Sequence, residues 1–358
     1  MAVLDWRAGG LACARAFLAE HGPAGLALVF HGDTDGCAAA LILHQAIKGG
    51  GASAPALLSP GKGEHCFSAA FRERLGEARP TSVVVLDMGS RAQPIAPGPI
   101  LVLDHHAVEG VPPGAVLVTG HRELGFSLPT AELARLVAEG LPGYERERST
   151  WLAALGVQSD AGGSAPVASL AEAKARYGAR TLSRAAALVN APRRAAEHDV
   201  AAAVRALQAA GSPEEIAALA IPEAKQLDIY QQQVTAELGR ARRTAPTFSG
   251  PVALLRFASP CLVHGLVAVS WARRLRDFVV MAANVGYLPG RVSFAVRSHR
   301  RLDLVTFLRG IELERGADEE SAHGHLAATG GSLGCASFNR MLAALGFGPE
   351  AMVPVEPA

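Results

Sequence analysis

Short apolar runs separated by polar turns dominate the first third of the chain. Leu26 to Phe30, Val83 to Leu86, Ile100 to Leu103 and Val116 to Thr119 are rich in Val, Ile and Leu and are bounded by turn residues. Continuous runs of this length, without alternation, predict strands buried on both faces of a parallel sheet. The Ala- and Leu-rich stretch Cys37 to Lys48 stops at Gly49-Gly50-Gly51, which predicts a helix with a glycine terminator. Phe67 to Gly76 predicts a second helix leading into the Val83 strand. Strand, helix and strand in alternation imply right-handed parallel crossovers. Trp151 to Val157 is a further apolar run and is read in the same way, as a sheet element ending in Gln158 to Gly163.

From about Leu170 to Arg243 the pattern changes to Ala, Glu, Arg and Gln with almost no β-branched signal, and predicts helices throughout. Ser212-Pro213-Glu214-Glu215 combines a capping box with proline at the first helical position, and Pro222 opens a long helix that reaches Arg243. Thr244 to Gly250 reads as a linker. New strands follow at Val252 to Phe257, Phe278 to Ala282 and Val292 to Val296, with helices at Leu262 to Leu275 and Leu302 to Leu313. This second α/β region carries Ala322 to Gly331, expected as a small-residue loop with two histidines that leads into a helix near Phe338.

The chain has 358 residues, 49% of them hydrophobic, and a formal net charge of +1, values that suit two globular domains. No apolar stretch reaches the roughly 18 residues of a membrane span, and Met1 to Gly10 lacks the pattern of a secretory signal, so a cytoplasmic protein without a membrane partner is expected. Five cysteines, Cys13, Cys37, Cys66, Cys261 and Cys335, are odd in number and widely spaced, which suggests packed thiols rather than disulfides or structural zinc. Near neutrality argues against wrapping long duplex nucleic acid. The basic clusters Arg193-Arg194, Arg240 to Arg243, Arg273 to Arg276 and Arg297 to Arg301 are by default solvated faces.

Three of the predicted strands end in groups able to hold a metal: His31-Gly32-Asp33-Thr34-Asp35-Gly36, Asp87, and Asp104-His105-His106. Ligands of open α/β sheets gather at the carboxyl ends of the strands, so these three would converge on one crevice. The helix after Gly36 would point its amino end there, favouring phosphate or carboxylate. Asp160 is by itself an ordinary loop or cap residue, but it gains interest beside the other three. Each aspartate alone is well explained as a helix cap, and each histidine as a packing or turn residue; the ordered set is not. His31, Asp33, Asp35, Asp87, His105 and Asp160 form a carboxylate-rich set with few imidazoles and no thiolate, which favours Mn²⁺ or Mg²⁺ over zinc. Two ions about 3.5 to 4 Å apart, sharing one carboxylate, would use all six and activate water for attack at phosphorus.

The order H-x-D-x-D-G, then an apolar run ending in Asp, then one ending in D-H-H, resembles the DHH phosphoesterase superfamily. His31 to Gly36 is similar to the first motif of archaeal relatives of RecJ exonucleases, Val83 to Ser90 to the second, and Leu155 to Asp160 to the fourth. The loop around Gly324-His325 resembles the glycine-rich signature of the DHH-associated C-terminal domain, with Ala322, His323 and Thr329 departing from it. The resemblance covers nearly the whole chain. It implies an N-terminal parallel-sheet DHH domain (1–190), a helical linker (191–248) and a smaller C-terminal α/β substrate-binding domain (249–358), with the active site in the cleft between them.

The same resemblance implies roles for single residues. His31, Asp33 and Asp87 would hold one ion, and Asp35, Asp87, His105 and Asp160 the other, so that Asp87 bridges. His106 would face the substrate phosphate as ligand or general acid. Arg297, Ser298, Gly324 and His325 would bind the phosphate or the terminal nucleotide. The leading expectation is therefore an enzyme using two divalent cations, Mn²⁺ favoured and Mg²⁺ able to substitute, on short single-stranded DNA or RNA. A modest charge and only 5% aromatic residues suit short strands. Alternatives are a hydrolase of a cyclic dinucleotide or nucleoside bisphosphate, and a non-catalytic scaffold, which would lack ligands that this chain keeps. The plan also admits a homodimer.

Overall fold

The computed structural model describes residues 2–122, 125–299, 302–310, 320–325 and 328–355. The chain divides into two compact units, Met1–Arg193 with Glu197–Gln231, and Arg194–Ala196 with Gln232–Ala358.

The first unit is built on six parallel strands, β1 (Ala2–Asp5), β2 (Leu26–Phe30), β3 (Ala56–Leu58), β4 (Ser82–Leu86), β5 (Ile100–Asp104) and β6 (Val116–Thr119), in the order β1-β6-β5-β4-β2-β3. Every residue of β2, β4 and β5 is buried, as the unbroken apolar runs require of central strands covered on both faces. On one face Ala27, Val29, Val83, Val85, Ile100 and Val102 share a core with Phe71 and Leu75. Those two belong to α3 (Ala69–Glu77), which follows α1 (Leu11–His21) and α2 (Thr34–Gly49). α2 packs against β2 and also against α4 (Thr130–Ala138) and α5 (Arg146–Asp160). The helical region continues as α6 (Ala168–Tyr177), α7 (Ala179–Val189), α8 (Val200–Ala209) and α9 (Pro213–Ala217), and α10 (Pro222–Ala241) runs from this unit into the next.

The run Trp151 to Val157 lies in α5 and is not a strand. It is apolar all round because α5 is buried among α2, α4, α6 and α7, and a helix covered on every side loses the periodicity that would reveal it. Beyond the predicted elements lie the edge strands β1 and β3 and helices α1 and α4; of these α4 is amphipathic, burying Leu133, Ala134 and Val137 on one face.

The second unit holds a mixed sheet of β7 (Thr247–Ser249), β8 (Val252–Phe257), β9 (Val279–Leu288), β10 (Arg291–Ser298), β11 (Glu320–His325) and β12 (Ala328–Gly334), in the order β11-β12-β10-β9-β8-β7. Among the described residues of this sheet only β8 and β9 pair in parallel, through the crossover helix α11 (His264–Ala272); α12 (Leu304–Arg309) and α13 (Cys335–Ala344) follow later. One face buries Leu254, Met281, Phe294, Leu333 and Phe338 together. β7 occupies part of the expected linker.

The expected histidine loop is largely two antiparallel strands, β11 and β12. Small residues permit this because β12 must lie close to β10: a Cβ on Gly330 would meet Phe294 O at 2.4 Å. The side chains of 320–325, with all of Arg300, Arg301, Leu326, Ala327 and the 311–313 end of the predicted helix, lie outside the described residues.

Candidate metal centre

β5, β4 and β2 are neighbours, and their carboxyl ends are level. Phe30 pairs with Leu86 and Leu86 with Leu103. The ladder continues one step further, with His31 N–H donating to Leu86 O and Asp87 N–H to Leu103 O, each at 3.1 Å. His31, Asp87 and Asp104 therefore leave the sheet side by side. Asp87 has φ +62°, in the left-handed region that few residues other than glycine adopt. Backbone strain held by its surroundings is frequent at functional positions.

The first motif folds tightly onto itself. Asp33 caps α2, accepting from Gly36 N at 3.1 Å, and so takes one of the helix-end N–H groups expected for an anion. A Cβ on Gly36 would lie 2.2 Å from His31 O, so only glycine lets the helix start directly over the histidine. His31 Nδ1 is 2.9 Å from Asp33 Oδ2 and 3.6 Å from Asp87 Oδ2. On the other side of Asp87, Oδ1 is 3.1 Å from His105 Nε2 and 3.9 Å from His106 Nδ1. Among the described residues two groups thus have ligand atoms mutually within 4.8 Å, His31 with Asp33 and Asp87, and His105 with His106 and Asp87. Asp87 belongs to both.

Asp35 and Asp160 stand just outside these groups. The buried Asp35 carboxylate accepts from Thr130 N at 2.8 Å and from Ala131 N at 3.0 Å, capping α4 from a distant part of the chain. Asp160 is the last residue of α5, and its Oδ2 is 3.6 Å from His105 Nδ1. Asp104 ligates nothing in these groups but fixes the turn, accepting from Gly89 N at 2.7 Å and His106 N at 2.6 Å, with His106 Nδ1 at 3.0 Å from Oδ1.

The electrostatics follow from crowding. Burial, reinforced by the Asp87 charge, holds Asp35 well above the ordinary carboxylate range, and burial also raises Asp160. Burial opposes the charged forms of His31 and His105 as well, but neighbouring carboxylates outweigh it. Asp33 and Asp87 bring His31 up to about 9, and Asp87, Asp35 and Asp160 raise His105. Asp33 is held well below its usual range by His31 and Arg193 against the cost of burial. Carboxylates outnumber cations here, which is the balance a divalent ion would correct.

The donor set fits such an ion. Oxygen and imidazole donors converge from both sides of Asp87, and the buried His105 Nε2 lies 3.1 Å from Asp87 Oδ1. Neutral imidazole beside carboxylate oxygens is a donor set that suits such coordination.

Residues that the sequence did not single out complete the centre. Arg193, expected as part of a solvated face, is 3.1 Å from His31 Nε2 and 3.8 Å from Asp33 Oδ2, and its Nε donates to Asn190 Oδ1 at 2.9 Å. Thr130 Oγ1 donates to Asp87 Oδ1 at 3.2 Å. Gly156 leaves room for Asp35, whose Oδ1 would lie 2.5 Å from a Cβ there. None of these has a local signature, because each is defined by its distance from residues far away in sequence. In the second unit, Arg297 Nη1 donates to Val296 O at 2.9 Å and Thr329 O at 3.1 Å, and Ser298 Oγ to Phe278 O at 3.5 Å. Gly324 and His325 lie in β11, with side chains outside the described residues.

No family model matches the sequence, and no curated protein matches it significantly. Solved structures do match. The exonuclease RecJ bound to manganese superposes with a TM-score of 0.67 at 22% identity, over 94% of this chain and 93% of that one. RecJ from Thermus thermophilus in complex with Mn²⁺ matches with a TM-score of 0.65 at 20% identity over 94% of this chain, which spans 54% of the Thermus protein. The DHH domain of a member of the s1p family of ribosomal proteins matches at 0.65 and 14% identity, over 95% and 89% of the two chains. The chain has the DHH superfamily fold. Within the run Asp104-His105-His106, Asp104 holds the turn while the imidazoles face Asp87.

Proposed function

We propose that this protein is a Mn²⁺-dependent phosphodiesterase that hydrolyses phosphoester bonds of short single-stranded DNA or RNA, as an exonuclease or oligoribonuclease. The observation that carries this reading is Asp87, strained into the left-handed region and shared by two convergent groups of ligand atoms. His31, Asp33 and Asp87 would hold one cation; Asp87 and His105, supported by Asp35 and Asp160, would hold a second. Divalent cations at such a site supply Lewis acidity toward phosphate and acidify an attacking water. His106, oriented by Asp104 and raised in basicity by it against burial, donates a proton or a hydrogen bond to a phosphate oxygen. Arg193, beside His31, adds fixed positive charge where negative charge gathers during displacement at phosphorus. Arg297 and Ser298 in the second unit, with His325, bind a substrate phosphate or nucleotide end.

The fold supports the phosphodiester assignment, since one neighbour is an exonuclease bound to manganese and another binds Mn²⁺. The decisive test incubates the purified chain with Mn²⁺ and end-labelled DNA and RNA oligomers, cyclic dinucleotides and adenosine bisphosphate. Stepwise shortening of an oligomer, abolished by chelation, is the expected result. Turnover of the small phosphates alone would move the assignment to a small-molecule hydrolase, and no turnover with any substrate would leave a binding scaffold.

A further inference from the structure

Thr130 is fully buried at the first turn of α4 and touches two of the centre's carboxylates through two different atoms. Its backbone N–H donates to Asp35 Oδ2 at 2.8 Å, and its hydroxyl donates to Asp87 Oδ1 at 3.2 Å. The second contact acts on the residue both ligand groups share. A carboxylate rotates about its last torsion with little resistance, because terminal sp³–sp² torsions are broad. A donor on Oδ1 fixes that rotation so that Oδ1 faces His105, at 3.1 Å, and Oδ2 faces His31, at 3.6 Å.

The helix that presents Thr130 is itself tied down. Glu132, buried in the same first turn, accepts from Ser169 Oγ at 2.7 Å and from Arg135 at 2.8 and 3.0 Å. At the far end of α4, Arg15 donates to Leu136 O at 2.6 Å and Val137 O at 3.1 Å. With Gly156 admitting α5 against Ala131 and Asp35, α4 has little freedom to shift. A donor on such an element is placed in advance of any ligand.

We infer that Thr130 is a positioning residue: its hydroxyl sets the orientation of the Asp87 carboxylate, and through it the geometry of the divalent-cation site. This inference rests on the metal-dependent reading of the centre. It assigns no contact with substrate to Thr130, and it separates the side chain's task from that of the backbone N–H, which any residue but proline would supply to Asp35. A hydroxyl that orients a ligating carboxylate sustains affinity by factors of about 10 to 100.

The test titrates the chelator-stripped full chain with MnCl₂ by calorimetry, for the native protein, Thr130→Val and Thr130→Ser, and records thermal melts in chelator for each. Thr130→Val keeps the shape and the N–H but removes the donor; about a tenfold or greater loss of Mn²⁺ affinity is expected, with turnover falling in step. Thr130→Ser restores the donor and should bind Mn²⁺ nearly as the native protein does, whatever its melting temperature. Equal Mn²⁺ affinity in the two variants overturns the inference and leaves Thr130 as core packing. Should Thr130→Val not fold, Thr130→Ser against Thr130→Ala makes the same comparison with the methyl absent from both. A native chain that takes up no Mn²⁺ would overturn the metal reading and this inference with it, whereas a native chain that binds Mn²⁺ beside an equally competent Thr130→Val overturns this inference alone.

Discussion

In the first unit three neighbouring strands run parallel and stop at one level, so His31, Asp87 and Asp104 emerge together. In the second, β10 is antiparallel to both neighbours, and Arg297 near its end lies opposite Val280 and Ala328, at the starts of β9 and β12. A parallel sheet gathers carboxyl ends; an antiparallel one interleaves them with amino ends. Charge follows the same division. In the first unit's centre, carboxylates raise the histidines beside them while also opposing one another's charge. His264 in the second unit is depressed to about 4, by burial first and then by the like charges of Arg297 and Arg194. The first arrangement is suited to cations, and the second keeps its histidine neutral.

The sharpest way to break this contrast is at Asp87. Asp87→Asn keeps the size of the side chain and tolerates the left-handed backbone, but it removes the shared charge. Turnover on an oligonucleotide should fall by at least roughly a thousandfold. The melting temperature in chelator should hold or rise, since fewer like charges then face Asp35. Unfolding of this variant would make Asp87 a structural residue.

Gly36→Ala probes the fold beneath the site. With His31 O 2.2 Å from the added Cβ, α2 must move away from the histidine. A loss of about 3 kcal/mol or more in urea unfolding is expected, and an unchanged midpoint would show that the helix start yields easily.

A third expectation concerns pH. His31, raised to about 9 by Asp33 and Asp87 against burial, must surrender a proton before a cation can use its ring. Mn²⁺ affinity should therefore climb steadily from pH 6 towards 9, by up to about tenfold per unit for each of His31 and His105 that gives up a proton to the ion. Calorimetric titrations across that range would show it, and a flat profile would remove His31 from the ligand set.

The smallest effect belongs to the second unit. The folded-state pKa of His264 lies below the ordinary 6.5, so the fold favours its neutral form. That contribution is complete above about pH 6.5 and is lost as pH falls towards 4, on the order of 1 kcal/mol for a partly buried ring. His264→Gln should flatten the dependence of stability on pH in that window. An identical slope in the variant would place the acid sensitivity elsewhere.

Two misreadings have one physical origin. The local pattern puts Trp151 to Val157 in the sheet and Ala322 to Gly331 in a loop. In both places tertiary surroundings override it, because α5 is enclosed on all sides and β12 is drawn against β10. Short apolar runs and glycine-rich runs are ambiguous locally, and what covers them decides.

Elements with a local signal are readable from the chain alone. Unbroken Val, Ile and Leu runs can only be buried, so β2, β4 and β5 were legible, and with them the residues that follow each. Gly36 was legible as part of a motif, though its 2.2 Å reason was not. Tertiary structure alone decided that Asp35 caps a helix beginning 95 residues later, that Arg193 turns towards His31 rather than solvent, and that Thr130 reaches Asp87. Each of these contacts joins chain segments whose meeting depends on how helices stack over the sheet, and side-chain periodicity within one segment carries no record of that.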